Sequence, residues 1–240
     1  MHRAHAFLRS TLGLKIVMAL TGLVLFAFVI GHMIGNLQVY MGAEAVNAYG
    51  VFLRRFGHGG ALWAARAVLL LSVLLHVWSA WRLTRLSRAA RGIGYREVQH
   101  RESTYASRTM RWSGVILLLF IVYHLMDFTF GVRAVHPEFV HGDVFHNVVT
   151  GFHNPLVSAF YILAMLALGL HLYHGAWSFL QTLGLSHPRY NHLRHAFASF
   201  ITIVIVAGNI SFPVAVLAGW VREDLPAPPR TADQARPGTR

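Results

Sequence analysis

Lys15–Leu37 reads KIVMALTGLVLFAFVIGHMIGNL, an apolar run with no charge after Lys15 and a single histidine, His32, set deep inside it. A helix crosses a bilayer with about 20 residues at a rise of roughly 1.5 Å each, and this stretch is long enough. Basic residues precede it, as they precede a signal peptide, but its apolar part is too long for one and no small-residue cleavage pattern follows. Four more segments repeat the pattern, giving expected spans at Leu12 to Tyr40, Ala61 to Leu83, Met110 to Phe130, Pro155 to Leu180 and Ala196 to Trp220. The expected fold class is an all-α membrane protein, a five-helix transmembrane bundle over residues 1–221. Residues 222–240, with PAPP and scattered polar side chains, read as a disordered tail.

The composition agrees with a membrane protein: 55% of the 240 residues are hydrophobic and 12% are charged. The net charge of +12 raises the question of nucleic acid, but the basic residues lie between the apolar runs, where membrane orientation accounts for them. Arg3, Arg9 and Lys15 lie at the N-terminus, and Arg82, Arg85, Arg88, Arg91, Arg96, Arg101 and Arg108 crowd the second connection. The first and third connections carry a mixed set, Glu44, Arg54, Arg55, Arg133, Glu138 and Asp143. The positive-inside rule then places the N-terminus in the cytoplasm and, after an odd number of spans, the C-terminus outside.

The chain has no cysteine, which excludes disulfides, iron–sulfur clusters and covalent CxxCH haem attachment. It has 16 histidines, and five of them, His32, His76, His124, His171 and His174, fall inside apolar runs. Ionisable side chains at membrane depth are expensive and face the bundle interior, where they have a partner or a task. A single one reads most simply as an interhelical hydrogen-bonder; one in each of four consecutive spans asks for more.

A haem held by two histidines needs both at similar depth on facing helices. Counted from the cytoplasmic ends, His32 lies ~28 Å along the first span and His124 ~21 Å along the third, while His76 lies ~11 Å and His171 ~14 Å in. The outer pair is therefore His32 with His124 and the inner pair His76 with His171. His174, one turn nearer the cytoplasm, fits the inner level equally well by depth. The second ring nitrogen of each ligand needs an acceptor, for which helix carbonyls, Ser72 or Ser79 are available.

Other polar residues carry two readings each. Asp127, one turn beyond His124, either handles protons beside the outer pair or is a helix-end carboxylate reaching water or a base. Arg66 either pairs with Asp127 or an outer propionate, or snorkels to the interface. Arg82 and Arg85 follow His76 and suit inner propionates. Gly22 and Gly114 lie at the inner level, where a flat ring needs room, although glycine also serves ordinary packing, as at Gly31 and Gly35. The arginine-rich connection sets topology and is also placed to dock a subunit or anionic lipid. Trp63, Trp78, Trp81, Trp112, Trp177 and Trp220 read as interfacial anchors.

The Lys15–Leu37 stretch with Asn47 and Tyr49, the segment SRTMRWSGVILLLFIVYHLMDFTFG from Ser107 to Gly131, and HLYHGAWSFLQTLG from His171 to Gly184 together resemble the single-chain cytochrome b anchor of succinate dehydrogenases and fumarate reductases. The resemblance implies two non-covalent b haems, bound by histidines of the first and third and of the second and fourth helices. In its H-x-x-x-G motif the ligand stands four residues before the glycine, a position filled here by His171, which leaves His174 for a propionate or quinone pocket. It further implies a flavoprotein subunit and an iron–sulfur subunit as partners, quinone, menaquinone in particular, as acceptor, and a bacterial cytoplasmic (inner) membrane location. The competing readings are a di-haem anchor of a hydrogenase or formate dehydrogenase, and a haem-free transporter or proton channel with a buried histidine relay.

Overall fold

The structure, a computed structural model, describes residues 10–90, 105–185 and 187–223. Arg3, Arg9, Arg91, Arg96, Arg101 and the tail from 224 onward lie outside the described residues. Seven α-helices follow one another among those described: α1 (Thr11–Asn36), α2 (Ala43–Arg55), α3 (Gly60–Ala89), α4 (Tyr105–Phe128), α5 (Val144–His153), α6 (Pro155–Thr182) and α7 (Asn191–Leu217). Five helical segments are long and apolar enough to cross a membrane, containing α1, α3, α4, α6 and α7. The spans thus agree with those expected from the sequence to within a few residues, except that α3 runs on as far as Ala89.

Caps explain where several helices start. The Ser10 hydroxyl accepts from the Gly13 amide to open α1, and Asn154 accepts from Leu156 ahead of Pro155, which needs no donor at the first helical position. The break between α2 and α3 falls where Gly57, His58 and Gly59 all take positive φ (59°, 56° and 81°), which no continuous helix allows.

The first and third connections depart from the expected loops: each contains a short amphipathic helix, α2 and α5. Glu44 in the first turn of α2 and Arg54 and Arg55 in its last complement the helix dipole. Asn47 ties the two together. Its amide nitrogen donates to Asp143 Oδ1 (2.9 Å), and its oxygen accepts from the Val144 and Phe145 amides (2.8 and 3.1 Å). One end of the bundle is therefore capped by packed helices, while the other, where α1 begins and α3 ends, carries the arginines; these are the capped and basic ends below.

The surface is inverted relative to a water-soluble bundle. On α3, Leu70, Leu71 and Leu74 point outward while Ser72 and Ser79 are buried. Buried apolar side chains cluster under the cap, around Val39, Val149, Phe152, Phe212 and Val216, and again at mid-bundle, around Met33, Leu172 and Ile205. Close approach is needed where α1 meets α2: a Cβ on Gly35 would lie 2.7 Å from the ring of Tyr49. Gly35→Val is expected to lower stability by about 1–3 kcal/mol through overpacking, read as an earlier unfolding midpoint in detergent.

Candidate cofactor site: two histidine pairs

The fold brings the four histidines together two by two. The rings of His32 on α1 and His124 on α4 have centroids 5.8 Å apart, and those of His76 on α3 and His171 on α6 lie 6.2 Å apart. The first pair lies toward the capped end and the second toward the basic end.

Hydrogen-bond partners assign the tautomer of each ring. His76 Nδ1 lies 3.1 Å from the Met18 carbonyl and must donate to it. Ser113 spends its hydrogen on the Met110 carbonyl, so its oxygen accepts from His171 Nδ1 (3.2 Å). Tyr161 donates to Asp127 Oδ2 (2.8 Å), so its oxygen accepts from His124 Nδ1 (3.3 Å). The Asn36 side-chain amide lies 3.3 Å from His32 Nε2, which accepts from it. Every ring thus carries its proton on Nδ1 and a lone pair on Nε2. In His76, His124 and His171 that lone pair has no protein partner among the bonds above, whereas in His32 it faces Asn36.

Of the acceptors open to the inner pair, a helix carbonyl, that of Met18, serves His76, as expected. His171 turns instead to Ser113, and the Ser79 hydroxyl is buried without a partner. The sequence reading missed Thr21, Ser113, Tyr161 and His136. A signal for two of them was present. Thr21-Gly22 on α1 and Ser113-Gly114 on α4 are matching hydroxyl–glycine pairs, each the same distance before the histidine of its own helix. Both face the inner pair: a Cβ on Gly22 would lie 3.2 Å from His76 Cε1, and one on Gly114 3.8 Å from His171 Cε1. Gly31 has open space, and Gly35 serves Tyr49.

His174 lies edge-on to Trp177 (5.2 Å), its Nδ1 buried and unbonded, so His171 rather than His174 meets His76. Trp177 is packed inside against His195 rather than anchored at the interface; Trp63, Trp78, Trp81, Trp112 and Trp220 are exposed. Arg82 buries an unpaired Nε, whereas Arg85 lies exposed over Trp81. Arg66 does not pair with Asp127: it is exposed and lies over Trp63. Nor does Asp127 reach water, because it is 1% exposed and hydrogen-bonded to His136 and Tyr161.

The residues fit haem. Two imidazoles across one iron, each nitrogen about 2 Å from the metal, put their centroids roughly 6 Å apart, as in both pairs. Among the described residues no group of three or more His, Cys, Asp or Glu side chains could hold a bare ion. Two ligands per centre suit a metal that brings its own equatorial donors. The unpaired donors of Arg82, His174 and Trp177 at the basic end are of the kind that carboxylate side arms satisfy.

At the capped end, outside the spans, burial alone would lower the His146 pKa, but the Glu138 carbonyl and the carboxylates of Glu223 and Asp143 outweigh it and raise it. Burial likewise opposes, and bonds from the His146 amide and Asn47 outweigh, so that the Asp143 pKa is lowered. A raised histidine contributes stability that is complete below its unfolded value of about 6.5 and fades as pH rises through the folded value. Hydrogen exchange at Val221–Glu223, corrected for intrinsic rates, is therefore expected to accelerate as pH climbs above that range. Glu223→Gln should weaken the pH dependence, since His146 then keeps only Asp143 and the Glu138 carbonyl to hold its proton.

Neither a curated protein nor a solved structure matches the chain. A family model does, that of the succinate dehydrogenase/fumarate reductase transmembrane subunit, over residues 84–208. The matched half spans α4 to most of α7 and so includes His124 and His171. With five apolar spans and this match over more than half its length, the chain belongs to the succinate dehydrogenase/fumarate reductase transmembrane-subunit family.

Proposed function

We propose that this chain is a di-haem cytochrome b anchor that passes electrons between the iron–sulfur subunit of complex II and quinone in the membrane, with menaquinone as the acceptor. The observation that carries the reading is the pairing of four half-buried histidines at two levels within the spans, at ring spacings of 5.8 and 6.2 Å. His32 and His124 hold the outer haem and His76 and His171 the inner one. Each bound haem supplies a one-electron carrier near one face of the bilayer.

The chain's own side chains do the rest. Met18, Ser113 and Tyr161 fix the tautomer and ring orientation of their histidines, as outer-shell partners of metal ligands do. Gly22 and Gly114 leave space beside the inner pair, and Arg82 and His174 offer donors to propionates at the basic end. At the outer level Asn36 must turn its amide from His32 Nε2 for that nitrogen to bind metal. The arginine distribution favours a cytoplasmic basic end, the face offered to the flavoprotein and iron–sulfur subunits, in a bacterial inner membrane. Family membership favours this reading over a hydrogenase or formate dehydrogenase anchor.

The test is assembly and turnover. Affinity-tagged chain, purified from its native membrane, should bring down a flavoprotein and an iron–sulfur protein and reduce a menaquinone analogue with succinate. Purification alone, with no such activity in the eluate, would contradict the proposal.

A further inference from the structure

Under the cap a carboxylate and an imidazole are buried together. Asp127 Oδ1 lies 2.7 Å from His136 Nδ1, and the two residues are 1% and 3% exposed. Asp127 is linked to the four histidines through Tyr161, and His136 pairs with none of them. Ionisable groups so deep are costly to keep without a task.

The hydrogens around the pair can be counted. Tyr161, 6% exposed, gives its hydrogen to Asp127 Oδ2 (2.8 Å). On the other side Thr150 donates to the His146 carbonyl (2.9 Å), so it can only accept from His136 Nε2 (3.0 Å). His136 Nε2 therefore carries a proton, and one more lies between His136 Nδ1 and Asp127 Oδ1. The pair holds no net charge in this state. A second state keeps every hydrogen bond of the pair itself. If the Nε2 proton leaves and the Thr150 hydroxyl turns from the His146 carbonyl to donate to Nε2, a neutral His136 still donates from Nδ1 to an ionised Asp127. The pair then carries one negative charge, and only one hydrogen bond, to a carbonyl at the edge of the cap, has been given up.

The charge that changes stands close to the outer histidines, two hydrogen bonds from His124 Nδ1 through Tyr161 (3.3 and 2.8 Å). The half-buried Thr150 and the exposed His146–Glu223 pair lie on the opposite side, toward water. Among the described residues few other ionisable groups lie near the pair. Tyr123 on α4 packs against Tyr161, Arg133 is tied to the Pro137 carbonyl, and Asp143 is engaged by Asn47 and the His146 amide.

We propose that the Asp127–His136 pair is a redox-linked proton site for the outer haem, exchanging one proton through Thr150 for each electron the haem gains or loses. This rests on the di-haem reading above. When the outer haem gives its electron to quinone, the pair releases a proton toward the capped end and becomes negative beside the oxidised centre. When the haem is reduced again, one electron and one proton return and the pair is neutral.

The test is a spectroelectrochemical titration of the complete membrane complex at several pH values, following the two haem signals separately. The signal lost in His32→Ala identifies the outer haem. Its midpoint potential should fall by about 59 mV per pH unit, the one-electron equivalent of a tenfold change in proton concentration, while the inner haem's potential changes less. His136→Gln, which keeps a donor toward Thr150 but cannot exchange its proton, should flatten the outer slope while leaving both haem bands in place. A pH-independent outer potential in the unaltered complex, or an undiminished slope in His136→Gln, overturns the proton site alone. Absence of haem bands overturns the di-haem reading and this inference with it.

Discussion

Replacing His76 or His171 with alanine should remove one and the same haem, and replacing His32 or His124 should remove the other, so that each variant retains half of the haem. The expectation follows from geometry. Each ring faces its partner across a ring-width gap, with Nδ1 tied down in three of the four and Nε2 carrying the lone pair. A b haem with one axial imidazole removed loses half of its protein ligation. Ring geometry likewise separates His171 from His174, one turn apart on α6. His171 meets His76, whereas His174 turns to Trp177. His174→Ala should therefore keep both haems. Loss of the inner haem in His174→Ala, with its retention in His171→Ala, would show that the fourth ligand is misassigned. Haem content by pyridine haemochrome, together with low-temperature α-band spectra, reads both outcomes.

The second large effect is on stability. Asp127→Ala leaves His136 and Tyr161 buried with donors aimed at an empty position, and breaking a buried charged pair by removing one partner costs about 3–5 kcal/mol. Asp127→Asn keeps an acceptor oxygen for one of the two and should cost less. Unfolding of the detergent-solubilised complex, followed by temperature or denaturant, measures the difference. A loss under about 1 kcal/mol in Asp127→Ala would mean that the pair does not hold the cap to the bundle.

Much of this architecture is legible in the sequence, because a lipid solvent imposes a simple rule: about 20 apolar residues per crossing. The pairing of histidines was legible for the same reason. Alternating helix direction converts position along the chain into depth, and His32, His76, His124 and His171 sort themselves by level. What could not be read was lateral. Whether Asp127 faced water, Arg66 or the protein interior depends on rotation about the helix axis and on a loop that returns His136 beneath the cap. Neither periodicity nor charge reports such a contact across a connection. The helices α2 and α5 were hidden because they are short and amphipathic, and their place is fixed by Asn47 bonding to residues nearly a hundred positions away. Thr21 and Ser113 could have been found, since each precedes a glycine at the inner level, although a hydroxyl in an apolar helix more often bonds its own backbone, as both also do here.

The central claim, that these four histidines hold two haems, is tested most directly by the absorption spectrum of the purified complex before and after dithionite. Soret and α-band changes of b-type haem are expected, with a haem content of two for each copy of this chain. A preparation that is folded and complete but lacks those bands, or carries a single haem that survives loss of either pair, would contradict it.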